Sequence, residues 1–120
     1  MAVREGMNKN ILHLGAGHAA QTALPGCEDR GGVCFISAHT HRTDIGFKRI
    51  GELHVGDEIT IDTDYGKFRY RVKGGRVISN SAGEVMRPGG PSVLRLLTCY
   101  PFGILSRTKW RYLLEAEPIK

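Results

Sequence analysis

The chain has 120 residues, 41% hydrophobic and 24% charged, a balance that suits one folded domain over 1–120 and excludes a disordered chain. Net charge is +5, but no stretch reaches five or six like charges, so the excess reads as a soluble surface rather than a nucleic-acid-binding tail. No window approaches the roughly 18 consecutive apolar residues of a membrane span, and Met1 is followed by polar and charged residues instead of the apolar core of a signal peptide. Taken alone, this points to the cytoplasm or to a chain whose leader is missing.

Sixteen glycines lie between short apolar runs, which favours a turn-rich β protein. Residues 15–26, with several glycines and Pro25, read as a surface loop. Val33 to Ala38 (VCFISA) has the length and β-branching of a buried strand and ends at His39-Thr40-His41-Arg42. Phe47, Ile50 and Leu53 are spaced three apart, which predicts one or two helical turns. Glu58 to Asp62 alternates as a strand. After a turn over 63–66, Lys67 to Lys73 alternates again, with Phe68, Tyr70 and Val72 facing one way and Arg69, Arg71 and Lys73 the other. Gly74-Gly75 reads as a turn into a further strand, Arg76 to Ser79. Residues 80–91 form a loop rich in Gly, Ser and Pro. Ser92 to Thr98 is the next strand, with Cys99 at its C-terminal edge and Pro101 and Gly103 ending it. Trp110 to Ala116 is the last strand. Six strands with little helix indicate a closed or half-closed β-barrel.

The three cysteines are Cys27, Cys34 and Cys99, an odd count that leaves one unpaired within the chain. No Cys-x-x-Cys pair exists, so a four-ligand zinc site is not expected. Cys27 and Cys34 lie seven apart across a Gly-rich turn and could pair. Cys99 stands where a rigid strand can hold a sulfur in place while leaving it exposed; a buried, inert cysteine is the bland alternative. A thiol has an ordinary pKa of about 8.5 and needs a nearby cation to attack an amide at neutral pH. An imidazole can also donate the proton that a departing amine requires. His39 and His41 stand at the end of one strand, as Cys99 does on another, and in an extended segment both would point to one face. Arg107 and Arg111 follow Cys99, and Arg111 belongs to a strand expected to pair beside it.

Several separated pieces, in order, resemble the sortase family. Gly17-His18 with Thr22-Ala23-Leu24-Pro25-Gly26, and then Ile36-Ser37-Ala38-His39, resemble its approach to the catalytic histidine. Leu53-x-x-Gly56-Asp57-Glu58-Ile59 is similar to its Leu-x-x-Gly-Asp-x-Ile segment. Leu96-Leu97-Thr98-Cys99-Tyr100-Pro101-Phe102 resembles the nucleophile motif of its class D and E members, and Arg111-Tyr112-Leu113-Leu114 the strand that carries its arginine. The resemblance covers about residues 9–116. It implies an all-β, sortase-like closed or half-closed barrel with one or two short helices, lacking the first strand. It implies a cysteine transpeptidase that cleaves a Leu-Pro-x-Thr-Gly/Ala-like sorting motif through a thioacyl enzyme and passes the acyl group to an amine. Cys99 is the nucleophile, His39 the proton donor and base (His41 the alternative), and Arg111 the group that steadies the oxyanion.

Thr98 and Ala38, with Val85 and Met86 of the loop before the cysteine strand, are the expected substrate-binding residues. The expected partners are surface proteins bearing sorting motifs and an amine from a cell-wall precursor or another protein, with no nucleic acid, no cofactor and no metal. Location is expected at the outer face of the cell envelope. Two departures stand in the motifs: Arg95 replaces the usual Thr, and Ala38 the usual Gly, before the nucleophile and the histidine respectively. A degenerate, sortase-like peptide-binding module is the second reading. A basic nucleic-acid binder built on the Arg69, Arg71, Lys73 edge is the third.

Overall fold

A computed structural model describes residues 3–5, 16–18, 33–38, 50–63, 66–79, 93–100 and 109–119. Seven strands make one sheet: β1 (Val3–Glu5), β2 (Ala16–His18), β3 (Val33–Ser37), β4 (Glu58–Thr63), β5 (Gly66–Ser79), β6 (Val93–Tyr100) and β7 (Trp110–Pro118). Their spatial order is β1-β2-β3-β6-β7-β5-β4, and the sheet curls into the half-closed barrel expected from the sequence. Among the described residues the only helical element is one 3-10 turn, Ile50–Glu52.

The strand at the centre, β6, is apolar along most of its length because it is covered on both sides. It pairs in parallel with β3 and antiparallel with β7. Two parallel strands cannot be joined by a tight turn, so the chain between β3 and β6 makes the β4–β5 excursion. That excursion reaches the far side of β7.

Side chains alternate across the sheet and define two faces. On one, here called the Tyr70 face, Cys34, Ile36, Tyr70, Val72, Leu94, Leu96, Leu114 and Ala116 pack with Ile50 into the main core. Val33, Phe35, Val93 and Leu113 form a second buried cluster on the opposite face, the Cys99 face. The hairpin β4–β5 shows the predicted alternation: Tyr70 and Val72 are buried, while Arg69, Arg71 and Lys73 are exposed.

Three readings of the sequence are corrected. Residues 16–18 are not surface loop but the buried strand β2, paired antiparallel with β3; three residues are too few for alternation to announce a strand. Val3–Glu5, where no strand was read, pairs in parallel with β2. Gly74-Gly75 is not a turn. β5 runs unbroken from Gly66 to Ser79, and its pairing with β7 slips by one residue between Val72 and Gly74. This is a β-bulge, and Gly74 takes it at φ 152°, a conformation that side-chain-bearing residues avoid.

The bulge changes the phase of the strand. Before it, even-numbered residues of β5 face Tyr70's side. After it, Arg76 lies opposite Leu113 and Ile78 opposite Arg111, on the Cys99 face. Without the slip, Arg76 would point into the main core. Gly75 now lies under the Tyr112 ring, and an added methyl there would run into the Tyr112 hydroxyl. Leu94→Ala, at a fully buried site, is expected to lower unfolding free energy by about 2–5 kcal/mol. Gly75→Ala is expected to cost about 1–3 kcal/mol by overpacking. Urea unfolding followed by tryptophan fluorescence measures both.

Candidate active site

The sulfur-bearing strand is held from both sides. Along β6, Val93, Arg95, Leu97 and Cys99 point to one face, and Leu94, Leu96, Thr98 and Tyr100 to the other. Cys99 is partly exposed, near the strand's C-terminal end. Its antiparallel register partner is Arg111. Residues directly opposite in such a pair carry their Cβ atoms about 4.5–5.5 Å apart on the same face. The sheet therefore brings a thiol and a guanidinium together from positions twelve apart in the chain. Arg111 Nη1 also donates to the Trp110 carbonyl at 2.8 Å, which ties the side chain to its own strand. Ile78, opposite Arg111 on β5, adds an apolar wall.

On the other flank, Ser37 pairs with Leu97, and its hydroxyl donates to the Leu97 carbonyl at 3.1 Å. The Ala38 amide donates to the same carbonyl at 3.2 Å, so the chain leaves β3 beside the last residues of β6. His39, His41, Val85, Met86 and Arg107 lie outside the described residues, as does Cys27. Thr98 and Ala38 are described, and their side chains are buried on the Tyr70 face. Any contact they make on the Cys99 face comes from backbone. The Thr98 hydroxyl, 2% exposed, has no hydrogen-bond partner among the described residues. Cys34 is fully buried in the main core, and His18 is buried on β2; neither shares the Cys99 face.

A second charged group stands on the Cys99 face, and the sequence reading did not single it out. Glu115 receives Arg95 Nε at 2.9 Å and Arg76 Nη1 at 2.6 Å, one guanidinium to each carboxylate oxygen. Burial works to raise the Glu115 carboxyl. Hydrogen bonds and charge from Arg95, then Arg76, outweigh it and hold the group below the usual carboxylate range. Arg95, the departure from the motif, is therefore matched by an acid directly across the ladder. No local signal marked this group, because the phase change of β5 that brings Arg76 to Glu115 is set by pairing with β7.

The basic edge of β5 is not a patch of one sign. Lys67 lies 3.9 Å from Asp62 and Arg69 3.7 Å from Glu58, while Arg71 is flanked in register by Glu58 and Glu117. Asp57 caps a turn, accepting the His54 amide at 2.8 Å. No group of three His, Cys, Asp or Glu able to hold a cation stands together among the described residues.

The family model for the Sortase domain matches residues 1–119. Sortase D of Bacillus subtilis (strain 168) is 28% identical over 120 residues, covering 99% of this chain and 58% of the relative. The chain thus spans somewhat more than half the length of that protein. Among solved structures, a Clostridium perfringens sortase D5 transpeptidase is 31% identical with a TM-score of 0.79, covering 98% of this chain and 70% of that one. The complex of Streptococcus agalactiae sortase C1 and MTSET is 28% identical with a TM-score of 0.84, covering 98% and 60%.

Half-buried Glu115 and buried Thr98 each give a measurable expectation. Glu115 has a depressed folded-state pKa, so the stability it contributes is present above its unfolded value, about 4.3, and is lost as pH falls through the folded value. Wild type should therefore be more stable than Glu115→Gln at pH 7, and the gap should narrow as pH falls below the ordinary carboxylate range, read as urea midpoints. Thr98→Val removes a desolvated hydroxyl that has no partner among the described residues. It is expected to match or exceed wild-type melting temperature.

Proposed function

The chain belongs to the sortase family, and from that premise we propose that it is a cysteine transpeptidase acting on a Leu-Pro-x-Thr-Gly/Ala-like sorting motif. The observation that carries the reading is the register pairing of a partly exposed Cys99 with Arg111 on one face of the sheet.

In this reading the Cys99 thiolate attacks the threonine carbonyl carbon, forming a C–S bond. The negative charge moves to the carbonyl oxygen, where the Arg111 guanidinium donates hydrogen bonds to it. Collapse breaks the C–N bond. The departing amine takes a proton from the imidazolium and leaves a thioester on Cys99. An incoming amine attacks that thioester, gives its proton to the now neutral imidazole, and releases the thiolate.

His39 is assigned the imidazole role, with His41 as the alternative. In support, the β3 backbone runs parallel to β6 as far as Ser37, and Ala38 is still bonded to Leu97. An extended continuation would give residues 39 and 41 the same parity as Cys99. Backbone groups of Thr98 and Ala38 line the floor, and Val85 and Met86 are assigned to the apolar residue of the motif. The acyl donors are surface proteins carrying the motif. The acceptor is an amine of a cell-wall precursor or another protein, which places the reaction at the outer face of the cell envelope. No helix among the described residues is long and apolar enough to cross a membrane. The paired charges along β5 leave no specific support for nucleic-acid binding.

Incubation with a Leu-Pro-x-Thr-Gly peptide, followed by intact-mass spectrometry, tests the assignment. Wild type is expected to show a thioacyl adduct, and Cys99→Ala none while keeping its β-sheet circular dichroism. Arg111→Ala is expected to lose about 10²–10³-fold in kcat. His39→Ala should abolish turnover where His41→Ala reduces it less; the reverse result reassigns the imidazole. Peptide binding with no adduct on wild type would identify a binding module instead.

A further inference from the structure

Arginines cluster on the Cys99 face. On the three rungs from Cys99–Arg111 to Arg95–Glu115 stand the guanidinium groups of Arg111, Arg76 and Arg95. Glu115 supplies the one carboxylate among the described residues of these rungs, and Arg76 and Arg95 share it. The Arg76 side chain is nevertheless 56% exposed. Its single partner among the described residues is Glu115, through Nη1. A guanidinium carries several further N–H donors in a planar fork that suits carboxylates.

Position follows from the bulge. The slip at Val72/Gly74 puts Arg76 on the Cys99 face, opposite Leu113 and one diagonal from Arg111. Diagonal neighbours on one face lie about 7–8 Å apart. Successive Cα atoms of a peptide are about 3.8 Å apart. A donor peptide whose threonine carbonyl sits between Cys99 and Arg111, and whose preceding residues run toward β5, has the residue before the threonine within one or two backbone steps of Arg76.

Resting on the transpeptidase reading above, we propose that Arg76 is a specificity residue that selects an acidic side chain at the variable position just before the threonine of the acyl donor. Arg76 offers its unused donors to that carboxylate while Glu115 keeps Arg95. The pair is partly exposed, so its effect is modest and salt-sensitive.

The test compares the donors Leu-Pro-Glu-Thr-Gly and Leu-Pro-Lys-Thr-Gly on the full chain at low salt. Wild type is expected to favour the Glu peptide about tenfold in kcat/KM, combining attraction to one with repulsion of the other. The preference should shrink as ionic strength rises. Arg76→Lys should keep it, Arg76→Ala should lose it, and Arg76→Glu should invert it. An unchanged Glu-to-Lys ratio in Arg76→Ala overturns the proposal. If no variant turns over either peptide, the transpeptidase reading has failed, and charge selection is decided separately. Fluorescence anisotropy of the same labelled peptides on Cys99→Ala would then show tighter binding of the Glu peptide, abolished by adding Arg76→Ala. Equal binding of the two peptides overturns the proposal there as well.

Discussion

The antiparallel register of β6 against β7 is the constraint on which the candidate site depends. It pairs Cys99 with Arg111, Leu97 with Leu113 and Arg95 with Glu115 in successive same-face rungs. A slip of one residue would send the thiol to one face and the guanidinium to the other, because side chains alternate strictly. That slip would also turn Leu94 and Leu96 out of the main core and Arg95 into it. Burial of the Tyr70 face thus fixes the geometry of the opposite one, and packing and function are two readings of one hydrogen-bonded ladder.

β5 shows the complementary case, in which a register slip is used. Its first half buries Tyr70 and Val72 with even-numbered parity, and its second half would bury Arg76 and Ile78 if that parity continued. One extra residue at the bulge moves Arg76 out to Glu115 and Ile78 out to Arg111. Glycine makes this cheap at two adjacent positions for two reasons. Gly74 takes a positive φ, and Gly75 leaves room for the Tyr112 ring, which stacks near Tyr100 at a centroid distance of 6.5 Å.

The Arg95–Glu115–Arg76 group shows how a departure from a family motif is absorbed. An arginine at that point of β6 lies beside the buried Val93–Phe35–Leu113 cluster, where an unpaired charge would be costly. Glu115 lies directly across the ladder and accepts it, and Arg76 completes the carboxylate's second oxygen. Both cations meet on one carboxylate, and Arg76 keeps a half-exposed guanidinium on the same face as the thiol.

Much was legible in the sequence because it depends on local pattern. The alternation in Lys67 to Lys73, the apolar runs at Val33 and Val93, and the ordered motifs around Asp57, Cys99 and Arg111 marked the strands and the family. Strand β2 was not legible: Ala16-Gly17-His18 has neither the length nor the alternation of a strand, and its burial comes from its place between β1 and β3 and from Ala16 packing in the main core. Nor was the bulge, since two glycines in a row satisfy a turn and a bulge equally, and only the partner strand decides between them. Sequence alone determined which residue types could carry the chemistry and the order in which they occur. The tertiary structure decided that the thiol and the guanidinium share a rung and a face, and that Arg76 joins them, because alignment across strands is set by which side chains the whole sheet must bury.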